Sequence, residues 1–269
     1  PGEGASLRLS YSSGFRAPQA FDEDMHIAIV GGKRVRIRLA DDLREERSHS
    51  VSLSADLYHT FGKVQTNLLV EGFYTILDDV FALRDMDDAA DGGKVKERYN
   101  GSGATVRGFN VEGRAAFTRW FELQAGVTLQ QSRYKEPEFW SEDAEVPPVR
   151  RMFRTPDAYG YFTASFKPVR NFTADLSGTC TGSMLVQHMA GSGVAQDVAV
   201  STPSFFDMNI RLSYDVRIYK EITMQLYGGV QNLFNAYQKD FDKGVDRDSG
   251  YIYGPSLPRS WFVGAKFSF

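Results

Sequence analysis

Chemistry in a new sequence starts with its histidines, and this chain has four: His26, His49, His59 and His188. A helical zinc site needs His-x-x-x-His spacing on one face, and no pair here has it. His188, with Met184 and Met189 beside it, is a set that could ligate haem iron. The plainer reading is three ordinary loop side chains. His49 between Ser48 and Ser50 comes nearest to a hydrolytic pair, but a triad needs a further orienting group. No Gly-x-Ser-x-Gly elbow, Walker loop or dinucleotide fingerprint occurs. The acidic run Asp85-Met86-Asp87-Asp88-Ala89-Ala90-Asp91-Gly92 suggests calcium. An EF-hand-type loop begun at Asp87 would place Ala89 and Arg98 where oxygen ligands are required, so an acidic turn is the better reading. These residues predict no enzyme, no metal site and no cofactor.

Binding chemistry is better represented. The stretch 13–45 carries Arg16, Gln19, Asp22, Asp24 and His26, then Lys33, Arg34, Arg36 and Arg38. A second stretch holds Phe139, Trp140, Arg150 and Arg151, and a third holds Tyr237, Tyr251 and Tyr253. Aromatic side chains on loops offer large, stiff contact area for a compact ligand. The alternative is that they pack loop against loop, and that the charged residues are simply solvated.

What positions these loops is a ladder of strands. From Phe206 to Val216, Phe206, Met208, Ile210, Leu212, Tyr214 and Val216 alternate with Asp207, Asn209, Arg211, Ser213 and Asp215. Successive side chains of a strand point to opposite faces, so one face is apolar and the other wet. The same alternation recurs at Val51–Leu57, Phe109–Phe117, Phe121–Leu129, Phe172–Cys180 and Ile222–Val230. Ten strands are predicted, at 5–12, 46–60, 63–85, 94–117, 119–134, 157–167, 170–183, 203–217, 220–233 and 258–269. A tilted strand crossing a bilayer needs about 9–11 residues, and most of these have them.

The connections alternate between tight and long. Tight ones fall near 60–63, 118–119, 167–171 and 217–221. Long ones cover 13–45, 135–156, 184–202 and 234–257, with a shorter acidic one at 86–93. Sorting loops by rim is the habit of transmembrane barrels. Arg, Asp and Glu on the wet faces are costly in hydrocarbon, about 2–4 kcal/mol for Arg or Lys at the midplane, so those faces should line a lumen. Trp120, Tyr134, Tyr159, Tyr214 and Trp261 suit an interfacial girdle.

Composition agrees. The chain has 269 residues, a net charge of -3, 42% hydrophobic and 24% charged residues, which excludes neither a membrane barrel nor a globular domain but does exclude disorder. No basic stripe marks a nucleic-acid surface. With Cys180 alone there is no internal disulfide. The chain begins at Pro1 without a signal peptide and reads as one domain, 1–269, of a longer protein. A soluble β-sandwich would instead turn the apolar faces inward and need no detergent.

Three segments carry a family resemblance. Val230-Gln231-Asn232-Leu233-Phe234-Asn235, followed by Pro258-Arg259-Ser260-Trp261 through Phe269, resembles the C-terminus of TonB-dependent outer-membrane receptors. Leu9-Ser10-Tyr11-Ser12-Ser13-Gly14-Phe15-Arg16-Ala17-Pro18-Gln19 is similar to a mid-barrel motif of that family. Asn100 to Glu112 is similar to a third landmark, where a strand re-enters the barrel. The resemblance implies an all-β, antiparallel transmembrane barrel of about 22 strands around a plug. This chain would supply about ten C-terminal strands, the plug and the N-terminal strands lying outside it. It further implies uptake of a scarce nutrient (ferric siderophore, corrinoid, haem or similar) across the Gram-negative outer membrane. The TonB-ExbB-ExbD complex would supply energy through the plug, and the barrel-assembly machinery would read the terminal strand. In that strand Trp261, Phe267 and Phe269 would form the assembly signal. The expected ligand contacts are Arg16, Gln19, His26, Trp140, Arg151, Tyr237, Tyr251 and Tyr253. A passive porin or structural barrel is the competing reading.

Overall fold

A computed structural model describes residues 4–19, 35–86, 94–141, 143–191 and 193–268. His26, Phe269 and the heart of the acidic run lie outside the described residues. No helix among them is long and apolar enough to cross a membrane, which says nothing about strands.

The wall is an antiparallel sheet of ten strands in series. They are β1 (Gly4–Arg16), β3 (Glu46–Phe61), β4 (Val64–Asp78), β7 (Ala104–Thr118), β8 (Phe121–Glu138), β10 (Ala158–Phe166), β11 (Phe172–Thr181), β14 (Phe205–Tyr219), β15 (Ile222–Gln231) and β16 (Ser260–Ser268). A short β9 (Val149–Arg151) pairs only with β8. The ten expected wall strands are present in the expected order. Two are shorter than the alternation predicts, and Asp79 and Gly103 show why. Both have positive φ (55° and 85°) and end β4 and begin β7. The excess residues leave the wall as β5 (Phe81–Met86) and β6 (Lys94–Asn100) and form a separate sheet with β2 (Val35–Leu39). Another pair, β12 (Leu185–His188) and β13 (Val198–Ser201), lies inside the 184–202 connection.

The register joins the alternation of one strand to the next. Trp261 opposes Val230, Val230 opposes Ile210, and Ile210 opposes Leu176. The row continues through Ala164, Leu123 and Ala115. Because the side-chain period is two, such a row stays on one face across the sheet. On this face Leu9, Leu53, Phe109, Leu129 and Val263 are all exposed, Val263 by 90%. So many large apolar side chains turned outward is not how a water-bathed surface is built.

The opposite face carries most charges of the strand interiors, and several of them pair across strands. Gln124 donates to Glu112 at 2.8 Å, Ser165 to Asp175 at 2.6 Å, and Gln225 to Asp215 at 2.9 Å. Arg211 lies over the Tyr227 ring at 4.6 Å, and Arg114 pairs with Glu122. Tyr214 and Trp261 belong to the apolar face, as a girdle requires. Tyr134 and Tyr159 differ: by register they sit on the charged face, opposite Ala104 and Thr128.

The rims are sorted by length. Gly62-Lys63, Arg119-Trp120, 167–171 and Lys220-Glu221 close one rim tightly, helped by positive φ at Gly62 (63°), Asn171 (70°) and Lys220 (44°). Every long connection leaves from the other rim.

Candidate functional site

Four of the long-rim segments meet around a cavity of about 580 Å³. The β5–β6 hairpin supplies Phe81, Arg84 and Tyr99, and the end of β8 supplies Tyr134. The connection after β8 adds Trp140 and Phe153, and β12 and its end add Gln187 and Met189. Trp140 meets Phe153 edge-on, with ring centroids 5.4 Å apart. Its indole Nε1 is buried without a hydrogen-bond partner among the described residues. Buried donors are rarely left unmade, so this one is a ready contact for an acceptor. Arg84 donates to Glu97 at 2.8 Å and lies 5.0 Å from the centroid of Tyr99. The cavity thus offers aromatic walls, one orphan donor and a cation already half-neutralised.

Of the expected ligand contacts among the described residues, Trp140 alone lines this cavity, joined there by Phe139 and Met189 from the wider candidate sets. Arg16 ends β1, 3.6 Å from Glu46, with its guanidinium over Phe81. The Gln19 carbonyl accepts from Arg98 at 2.5 Å. Arg151 pairs with Asp157 at 3.1 Å and donates to the Ser183 carbonyl at 2.7 Å. Tyr237 is exposed in the last long loop. Arg84, Tyr99 and Phe153 escaped sequence reasoning because they become walls of one cavity only when separate connections fold together. Tyr134 was read as girdle instead, and only the strand register corrects that.

Tyr251 and Tyr253 are buried, at 3% and 7% exposure, with Val186 and Phe205 in a small loop core. Both phenols donate to Asp240, at 2.7 and 2.6 Å. Burial, and then the Asp240 bond, push both phenols above their ordinary range, Tyr251 far above it. For Asp240, burial pushes the carboxyl upward, but the hydrogen bonds from Tyr253 and Tyr251 outweigh it and hold the net value below normal. Tyr251 stacks on His188 at 3.7 Å, and the His188 Nε2 faces both Asp242 oxygens at 3.0 and 3.1 Å. This cluster ties the β12–β13 loop to the last one. It also occupies the histidine that the haem reading required. Among the described residues no group of three or more His, Cys, Asp or Glu is arranged to hold a metal.

The Asn-Leu-Phe segment gains a physical reason. Asn232 is buried, with φ 49°, just past β15. Its amide donates to the carbonyls of Ala236 (2.8 Å) and Leu257 (2.9 Å), and its oxygen accepts from the Ala236 N–H at 2.8 Å. One side chain therefore folds the chain back and pins the far end of the loop that leads to β16. In β16, Trp261 and Phe267 stand on the apolar face and are exposed.

The family model described as "TonB dependent receptor-like, beta-barrel" matches residues 1–233. No curated protein sequence matches. Among solved structures, the chain is similar to the ferric-catecholate import receptor Fiu from E. coli K12, with 16% identity and a TM-score of 0.60. The alignment covers 97% of this chain and 32% of that one. It is similar to the FrpB iron transporter from Neisseria meningitidis (16% identity, TM-score 0.62, 98% and 37% covered). It is also similar to the siderophore receptor PirA from Acinetobacter baumannii (15%, 0.63, 98% and 39%). The chain thus spans little more than a third of such proteins. The wall of paired strands, the sorted rims and the family match lead to one conclusion: this chain belongs to the TonB-dependent receptor β-barrel family.

Proposed function

We propose that the chain forms part of the wall of an outer-membrane receptor that takes up a scarce small-molecule nutrient. The apolar face meets acyl chains, the charged face lines the passage, and the long-loop rim faces outside the cell. The plug and the TonB contact, by which the energy enters, belong to the remainder of the receptor. Barrel-assembly machinery recognises β16 through Trp261, Phe267 and Phe269. No bond is made or broken in transport.

The observation that supports this most is the cavity at the long-loop rim. Ligand sites are concave, mostly apolar, and carry a few placed polar groups, and that is its make-up. Trp140 is the central contact, with Tyr99, Tyr134 and Arg84 around it. Iron chelates fit this reading, given what the similar solved receptors are named for. The test is titration of the whole receptor with ferric siderophores, corrinoids and haem, following tryptophan fluorescence. One class should quench and saturate, and Trp140→Ala should weaken it at least tenfold. Unchanged affinity in Trp140→Ala would move the site elsewhere.

A further inference from the structure

Two of the arginines on the apolar face near the long-loop rim have no acidic partner among the described residues, unlike Arg47, which pairs with Glu45. Arg107 on β7 forks onto the Gln131 side chain on β8, at 3.2 and 2.8 Å. Arg133 lies two residues further along β8 on the same face, which is about 7 Å at the usual strand rise. Neither arginine is within ion-pairing reach of a carboxylate among the described residues.

Their level is set by the register. Arg107 sits in a row with Tyr11, Val51 and Tyr74, one step outward of the row formed by Leu53, Gly72, Phe109 and Leu129. Tyrosine phenols at the edge of an apolar band mark the headgroup region, where an arginine costs far less than at the midplane. Directly below, the wall is dented. A groove of about 650 Å³ runs between Val51, Leu53, Tyr74, Phe109 and Leu129, with Gly72 at its floor. Asp157 also borders it, but that carboxylate is held by Arg151 at 3.1 Å.

We propose that this patch docks one phosphate-bearing lipid of the surrounding leaflet, its phosphate on Arg107 and Arg133 and an acyl chain in the groove over Gly72. Charge supports that occupant. Two uncompensated guanidiniums face the level at which lipid phosphates lie, and guanidinium suits phosphate as a fork of donors. A neutral headgroup would satisfy neither charge, and a free anion would leave the groove empty. The inference rests on the apolar face meeting lipid.

The whole receptor, reconstituted in phosphatidylcholine vesicles, is probed with spin-labelled phosphatidic acid and spin-labelled phosphatidylcholine. Wild type should hold phosphatidic acid selectively, and an Arg107→Gln/Arg133→Gln double variant should lose about fivefold of that selectivity per arginine. Its motionally restricted phosphatidylcholine should not change. The Arg107→Lys/Arg133→Lys variant should keep most of the selectivity. Gly72→Phe should reduce retention by filling the groove. A Cβ at Gly72 meets only the Phe109 ring, at an ordinary contact of 3.5 Å. Selectivity unchanged in the Gln variant, or abolished by inorganic phosphate, overturns the proposal. No restricted lipid of either kind on wild type would instead overturn the lipid-facing assignment beneath it.

Discussion

Leu176 and Ser177 are consecutive residues in the middle of β11, at one depth and on opposite faces. Leu176 opposes Ala164 and Ile210 in the apolar row, while Ser177 opposes Thr163 and Asn209 in the wet one. Arginine at Leu176 places a charge in hydrocarbon, a cost of about 2–4 kcal/mol at the midplane, or roughly 30- to 900-fold in the folding equilibrium. Arginine at Ser177 enters a hollow of about 750 Å³ bordered by Asp175 and Asp207, with Arg211, already stacked on Tyr227, as the one cation. It has room there and two carboxylates to meet, so the change should stay within about 0.5 kcal/mol. The assay is reversible urea unfolding of the receptor in thin phosphatidylcholine vesicles. A loss in Ser177→Arg as large as in Leu176→Arg, or none in either, would refute the assignment of faces.

Other outcomes follow from single groups. Asn232→Ala should cost about 2–4 kcal/mol, because it removes three side-chain hydrogen bonds that hold the Ala236 and Leu257 backbone; loss of protease resistance in 232–259 reports it. The loop clamp should depend on pH with a known sign. Burial raises the Asp242 carboxyl, but the Asp248 N–H and His188 bonds outweigh it and hold it below its ordinary 3.8, so that stability is present above pH 3.8 and lost below. Tyr251 is held above its ordinary 10.0, so its share is lost as pH rises past 10; hydrogen exchange of 236–253 should therefore be slow between those limits and fast outside them. Tyr251→Phe removes the bond to Asp240 and should loosen the loop by about 1 kcal/mol, seen as faster exchange at neutral pH.

The wall was legible in the sequence because a period of two needs no partner to be read. Phe206 to Val216 declares its faces alone, and loop lengths declare the rims. The departures from the wall were not legible, since Asp79 and Gly103 end and begin strands through backbone angles that their neighbours do not announce. The cavity was the least legible part. Trp140 is conspicuous, but Tyr99, Arg84 and Phe153 become a site only when separate connections fold together. Tyr251 and Tyr253 looked like contact residues, and the structure places them under Asp240 as loop core. Asn232 stood out as part of a motif, but its role as a staple is visible only from the distant Leu257 carbonyl it holds.

Which stripe of each strand touches lipid decides everything else about this wall. Single spin labels at 206 to 216, in a Cys180→Ser background, test this through relaxation by oxygen, which favours lipid, and by a water-soluble nickel chelate. Labels at 206, 208, 210, 212, 214 and 216 should respond to oxygen and those at 207, 209, 211, 213 and 215 to nickel. A uniform response along the strand, or the opposite phase, would contradict it.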